Sequence, residues 1–264
     1  MAIHPTAIID PRAELGADVE VGPYCIVERH VRIGPGCRLL HHVFLTGWTE
    51  ICEGCVLHPG VIVGHEPQDT KYHGERSFCR IGRGTILREY VTIHRGTVPE
   101  SETVVGENCF LLGGSHVAHN CRVGNDVTLI NNVLLAGHAQ IADRATLGGA
   151  AAVHQFVRIG ELAMISGAGR VTMDVAPFAL LDVEGRVIGL NRVGLRRAGL
   201  PREDLEEIRQ AYRTLFGGGL PFQAAVAQLD GAIRTPSGQK LLEFLQTPTT
   251  RGIAGRSRRR KQEE

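Results

Sequence analysis

What the sequence has little of narrows it first. Aromatic residues make up only 5% of the 264, and the formal net charge is +1. A balance so near neutral supplies no global basic field, which argues against a nucleic-acid partner. No apolar run approaches the roughly 18 residues needed to cross a bilayer, so no membrane span is expected. The opening stretch, MAIHPTAIIDPRAELG, lacks the charged-then-apolar pattern of a secretory leader, and a cytoplasmic protein is the expectation. Seven cysteines, an odd number, do not close into a disulfide framework. Metal-type spacing occurs once, as Cys52-x-x-Cys55, without a second pair to complete four ligands.

What is present is a period. From Ile3 every sixth residue is aliphatic, through Ile9, Leu15, Val21, Val27, Ile33, Leu39, Leu45, Ile51 and Leu57 to Val63. The phase returns at Ile81, Leu87 and Ile93, then runs from Val105 through Leu129 and Leu147 to Val171. Four residues after each aliphatic comes a compact residue, as at Ala7, Val31, Ser115, Ala139 and Ala151. Cys25, Cys37, Cys55, Cys109 and Cys121 occupy that slot, where a thiol packs as a small hydrophobe.

The physical reading is a coil of short strands joined by tight turns, three sides of about six residues each. Aliphatics fill the middle, small residues let the corners close, and coils stack at about 4.8 Å into roughly nine layers. The expected fold is therefore mainly β, a parallel β-helix over residues 1–176. Two polar, turn-rich segments interrupt it, HEPQDTKYHGERS at 65–77 and GTVPESET at 96–103, and should bulge out as loops, where function tends to sit. After Val175 the period fails, and 177–250 reads as a small helical domain covering the open end of the coil. Its clearest helix is LPREDLEEIRQAYRTLFGGG, with Pro201 in the first turn, Leu205, Ile208, Tyr212 and Leu215 on one face, and Gly217 at the end. LPFQAAVAQLDGAI and SGQKLLEFLQ read as shorter helices. The basic tail, 251–264, is expected to be disordered. Apolar residues at outward positions, among them Leu40, Phe44, Val56, Ile62, Phe110, Leu112 and Ile130, point to a homotrimer packed face to face.

Histidines mark the candidate site. His116 and His119 lie three residues apart in GGSHVAHNCRVGN. One coil beyond His119 is Gly137, beside His138, and two coils beyond is Gln155, beside His154. The winding therefore lines these residues along one edge within roughly 10 Å, a polar stripe suited to an elongated ligand. His4 and His58 directly follow core aliphatics and read as ordinary turn residues.

The segments PQDTKYHGE, TIHRGTV, SHVAHNCRVGN, NNVLLAGH, GGAAAVHQFVRIG and GLNRVGLRRAG together resemble the UDP-N-acetylglucosamine O-acyltransferases that begin lipid A synthesis, over about residues 3–255. The resemblance implies a left-handed coil, where the crossover rule alone would favour the right hand. It also implies a trimer that transfers an (R)-3-hydroxyacyl chain from acyl carrier protein to the 3-hydroxyl of UDP-N-acetylglucosamine. No cofactor of the protein's own is implied, because the donor carries phosphopantetheine on its carrier. By matching motif, His119 is the general base and the Gly137 N–H the oxyanion donor. Asp69 and Lys71 hold the sugar and its phosphates, and His116, His138, His154 and Gln155 line the cleft. Asn191 and Arg197 reach the nucleotide from a neighbouring subunit, and Gly167 falls where the family sets acyl length. A glycine there leaves room for a long chain of about fourteen carbons.

Several positions depart from the family pattern. Asn120 stands where an aspartate usually follows the base, and an amide cannot raise the basicity of an imidazole as a carboxylate does. Val193 and Ala198 replace a glutamate and an arginine on the nucleotide side, and a family histidine near position 184 appears as glutamate or is displaced. The related N-acyltransferases carry an N-terminal uridine-binding domain, for which hexads starting at Ile3 leave no room. Three alternatives stay open on sequence: a 3-amino sugar nucleotide as acceptor, a trimeric γ-type carbonic anhydrase with zinc between subunits, and a β-helix scaffold without catalysis.

Overall fold

The structure, a computed structural model, describes residues 2–217 and 219–255. The arginine cluster of the tail lies outside them. The hexads wind into a three-sided column. Among the described residues three sheets of eleven, nine and eight strands, parallel except for the last strand of the largest, form its sides, and successive strands of the coil pass from one sheet to the next. Most strands are only two residues long, because each ends where the next corner begins. From Val21 onward the aliphatic of each hexad is buried, and Leu39, Leu57, Leu87, Leu111, Leu129 and Leu147 stack as one fully buried row. The small slot closes the corners, with Cys121 Sγ donating to the Ala136 carbonyl at 3.2 Å and Cys109 Sγ to Gly124 at 3.0 Å. Burial pushes the Cys109 thiol up to about 11 and the Cys121 thiol up to about 12, which keeps both protonated and inert.

Most corners have a residue in the left-handed region at the end of the turn, the first two, at Thr6 and Arg12, excepted. Glycine serves at Gly36, Gly54, Gly60, Gly84 and Gly114, but Asn120 (φ 59°), His138 (φ 62°) and Phe156 (φ 65°) adopt the same conformation. A non-glycine there costs on the order of 1 kcal/mol, which the ladder on both sides sustains.

The two interruptions leave the column at the corner between the nine- and eight-stranded sheets. The first is shorter than expected, because Ile62–His65 and Phe78–Ile81 are strands. The second ends before Glu102, since Glu102–Val105 pairs in full with Phe78–Ile81. Arg95 ties the first loop down: its guanidinium donates to the Gly64 carbonyl at 2.8 Å and to the Tyr72 hydroxyl at 2.7 Å. Glu100 N–H donates to the Arg76 carbonyl at 2.8 Å and links the loops to each other.

Beyond Val175 the chain adds Ala179–Leu181, parallel to Met164–Ile165, and Val187–Leu190, antiparallel to it, before any helix. Among the described residues four helices follow: α1 (Arg192–Arg197), α2 (Arg202–Phe216), α3 (Phe222–Asp230) and α4 (Pro236–Gln246). In α2, Ile208, Tyr212 and Leu215 are buried and Leu205 packs against the core, and Tyr212 donates its hydroxyl proton to the Pro177 carbonyl. Helix α4 is fixed to the column by Lys240 on Glu161 at 2.7 Å and by Arg158, which stacks over Phe244 and pairs with Asp174 at 2.8 Å. Residues 251–255, expected as part of a disordered tail, are bound instead. Asp174 N–H donates to Gly252, Ala254 N–H to Asp174 and Val187 N–H to Gly255, because the last turn of the coil leaves those backbone groups unpaired. Among the described residues no helix is long and apolar enough to cross a membrane.

The outer faces differ in kind. The eight-stranded sheet carries cross-strand ion pairs, Arg32–Glu14, Arg80–Glu50 and Arg122–Glu102. The eleven-stranded sheet has one such pair, Arg38–Glu20, and beyond it aligns Val56, Ile86 and Phe110, while the nine-stranded sheet aligns Ile8, Ile26, Phe44 and Ile62. Truncating the inner column tests the packing. Leu129→Ala is expected to cost about 3 kcal/mol, read as a fall in the guanidinium midpoint at unchanged slope. Ser in place of half-buried Cys52, outside the small slot, should shift it by less than about 0.5 kcal/mol.

Candidate active site

The corner between the nine- and eight-stranded sheets gathers the imidazoles. Thr92–His94 pairs with His116–Val117, which pairs with Leu134–Leu135, so three layers meet below the turns at His119 and His138. His119 is 8% exposed, and its ring meets that of His138 edge-on at 5.3 Å. His138 stacks in turn on exposed Phe156 at 4.8 Å. On the other side His116 meets His94 edge-on at 4.9 Å, and His116 Nδ1 lies 2.7 Å from the Thr92 hydroxyl.

Burial sets the charge state of this seam. It holds His94 down at about 4, helped by repulsion from His116. His116 and His138 are lowered by burial and then by His119, with Asp69 opposing the shift at His138. Those three rings are thus held toward the neutral form, in which an imidazole offers one nitrogen as donor and the other as acceptor. His94 Nδ1 is buried without a partner.

Gly137 is required by its neighbour. A Cβ there would lie 2.5 Å from His119 Cε1 and 2.6 Å from Nε2, inside contact distance. Its N–H meets no acceptor among the described residues, so a bare backbone donor sits directly beside the imidazole. His119 Nδ1 lies 3.0 Å from Asn120 Oδ1, which also accepts from the Thr97 N–H at 3.1 Å and the Thr97 hydroxyl at 2.9 Å. A backbone N–H can only donate, so the atom facing it is the amide oxygen, and Nδ1 of His119 must carry its proton. Nε2 is left with a free lone pair. Chemically, such a pair offers a nitrogen able to accept a proton beside a backbone N–H able to donate to a negatively charged oxygen.

The remaining expected residues divide. Asp69 caps the turn of the first loop by accepting from Lys71 N–H at 3.0 Å, and acts electrostatically on His138, while Lys71 is exposed. His154 and Gln155 are exposed one coil beyond His138, and the Gln155 carbonyl accepts from Arg251 at 2.9 Å. Asn191, Arg197 and Gly167 do not reach His119 within one chain. Asn191 caps α1 through Gly194 N–H at 2.9 Å and donates to the Leu162 carbonyl. With Arg197 it borders a groove of about 650 Å³ on the eleven-stranded sheet, beside Thr146 and Met164. Gly167 sits at the corner between the eleven- and nine-stranded sheets, and a Cβ there would make ordinary contact with the Gly149 backbone, at 3.4 Å from its O and 3.9 Å from its N. Among the described residues no three of His, Cys, Asp or Glu converge as a metal site.

Counting in coils missed His94, Thr92, Thr97 and Thr103. The loop between His94 and Glu102 adds residues to that coil, so Thr92 pairs with His116 24 positions on and falls out of an 18-residue count. The imidazole of His94 in TIHRGTV was the available signal.

Relatives share this architecture end to end. The model described as Udp N-acetylglucosamine O-acyltransferase, Domain 2, matches residues 174–254. Acyl-[acyl-carrier-protein]–UDP-N-acetylglucosamine O-acyltransferases from Sinorhizobium fredii and Thermodesulfovibrio yellowstonii are 39% and 42% identical, over 97% and 95% of this chain and 96% and 98% of theirs. LpxA from Acinetobacter baumannii superposes with a TM-score of 0.92 at 36% identity, covering 96% of this chain and 100% of that one. The UDP-N-acetylglucosamine acyltransferase of Francisella novicida gives 0.92 at 31%, covering 96% and 94%. A superposition so close across every coil requires the same sense of winding, and the column is the left-handed parallel β-helix. An acyltransferase by its relatives, the chain belongs to the acyl-[acyl-carrier-protein]–UDP-N-acetylglucosamine O-acyltransferase family.

Proposed function

We propose that the protein transfers an (R)-3-hydroxyacyl chain from acyl carrier protein to the 3-hydroxyl of UDP-N-acetylglucosamine, the opening step of lipid A synthesis in the cytoplasm. The observation that carries the mechanism is the free Nε2 of His119 beside the bare Gly137 N–H. His119 takes the proton of the sugar hydroxyl as its oxygen attacks the thioester carbonyl. The carbonyl oxygen, now an oxyanion, accepts from Gly137 N–H. The attack forms the ester C–O bond; collapse of the oxyanion restores the carbonyl and breaks the C–S bond, and the imidazolium returns its proton to the departing phosphopantetheine thiolate. The catalytic groups are all side chains and backbone of the chain itself, with no cofactor of its own. Asp69, Lys71, His116, His138, His154 and Gln155 line the cleft around sugar, phosphates and thioester.

The acceptor site is completed by a second copy. Two apolar faces and one ion-paired face favour packing the eleven-stranded sheet of one copy on the nine-stranded sheet of the next, a head-to-tail contact that closes as a trimer. That contact brings the groove of Asn191 and Arg197 from one copy towards the His119 seam of another, for the nucleotide. The open space at Gly167 suits a long acyl chain.

His119→Ala is expected to lower kcat by about 10²–10⁴-fold in an assay with UDP-N-acetylglucosamine and 3-hydroxyacyl carrier proteins, at unchanged oligomer mass. Retained turnover would remove His119 from the mechanism. Light scattering should give three times the chain mass, and Phe110→Asp on the outer row should yield smaller species with little activity; an active monomer would contradict the shared site. Because the folded seam resists protonation while the unfolded chain does not, stability should fall as pH drops from 6.5 toward about 4. His94→Gln should flatten that fall in denaturant titrations at successive pH values.

A further inference from the structure

Asn120 is held from the loop side. Its Oδ1 takes both donors of Thr97, at 3.1 and 2.9 Å, while its own N–H donates to the Thr103 hydroxyl at 2.7 Å. Thr97 belongs to the segment that leaves the coil after His94, and Thr103 to the strand that re-enters it. Among the described residues the titratable groups bearing on the His119 ring are His94, His116 and His138, with Asp69 acting on His138. No carboxylate of the described residues hydrogen bonds to it. The imidazole therefore has a neutral acceptor behind it, and what that acceptor supplies is direction rather than charge.

We propose that Thr97 is a positioning residue for the acyl transfer: through Asn120 it locks His119 in the Nδ1–H tautomer and aims Nε2 at the sugar hydroxyl. The inference deepens the general-base reading of His119 and rests on it. Without the Thr97 donors the Asn120 amide can turn over and present its NH₂ to Nδ1. That NH₂ stabilises the opposite tautomer, whose Nε2 is protonated and cannot accept. The second loop thus sets the fraction of molecules with a competent base, and a neutral relay stands where a charged one would also raise basicity.

The test is steady-state acyl transfer by the full-length protein to UDP-N-acetylglucosamine, with kcat and KM taken separately across neutral and mildly acidic pH. Thr97→Val keeps the backbone donor and loses the hydroxyl, and should lower kcat about fivefold at unchanged KM. Thr97→Ser should restore the parental rate. Asn120→Gly preserves the left-handed backbone (φ 59°) while removing the relay, and should lower kcat about a hundredfold at unchanged oligomer mass. Asn120→Asp accepts the same donors and adds charge, so it should keep kcat within about twofold and move the acid limb of the profile to higher pH. Parental kcat in both Thr97→Val and Asn120→Gly, with His119→Ala inactive, overturns the proposal alone. A fully active His119→Ala overturns the general-base reading and the proposal with it.

Discussion

The backbone ladder between coils is the constraint on which the molecule depends. Each coil donates to the one stacked on it in fixed register, as His116 N–H to the Val133 carbonyl and Leu134 N–H to the Ala151 carbonyl. Where loops are inserted the ladder does not yield: the extra residues leave at the corner and the strands re-pair, Thr92 with His116. Because hydrogen bonds on both sides fix every corner, polar and aromatic residues can be held at positive φ where an isolated turn would reject them. Asn120, His138 and Phe156 are placed in this way. A rigid column thus delivers side chains from distant sequence positions to one seam, with little of the disorder that a loop-built site must overcome.

That seam is an electrostatic arrangement as much as a geometric one. Four imidazoles in a half-buried row cannot all be charged, and burial settles the matter for His94, His116 and His138 in favour of the neutral form. A neutral row suits a reaction that must accept a proton from a hydroxyl and return it to a thiolate. Gly137 adds the only kind of donor that fits so close to His119, a backbone N–H without a side chain. Helix α4, Glu161 and the 251–255 segment hold the far end of the column, and Arg251 of that segment reaches the edge of the cleft at the Gln155 carbonyl.

Most of the column was legible in the hexads, since the inward aliphatics and the thiols of the small slot follow directly from a period of six. The fold class and the helices around Ile208, Val226 and Leu241 followed from apolar periodicity and capping residues. What stayed hidden depended on long-range backbone pairing. Residues 251–255 carry little apolar signal, yet they satisfy orphan groups at Asp174 and Val187. The strands at Ala179–Leu181 and Val187–Leu190 have no hexad phase to announce them. In the site, His116, His119, Gly137 and His138 were legible because no insertion separates their coils. His94, Thr97 and Thr103 lie across a loop of unpredictable length, and Thr97 in particular is found only by tracing who donates to Asn120. Handedness came from kinship, since a period alone does not distinguish the two senses.

A structure of the protein with UDP-N-acetylglucosamine bound tests the central claim most directly. The account predicts the sugar 3-hydroxyl within hydrogen-bond distance of His119 Nε2, with the nucleotide against Asn191 and Arg197 of an adjoining copy in a trimer. A sugar bound away from that seam, or its 3-hydroxyl turned from His119 with both nitrogens of the ring engaged by protein, would contradict it.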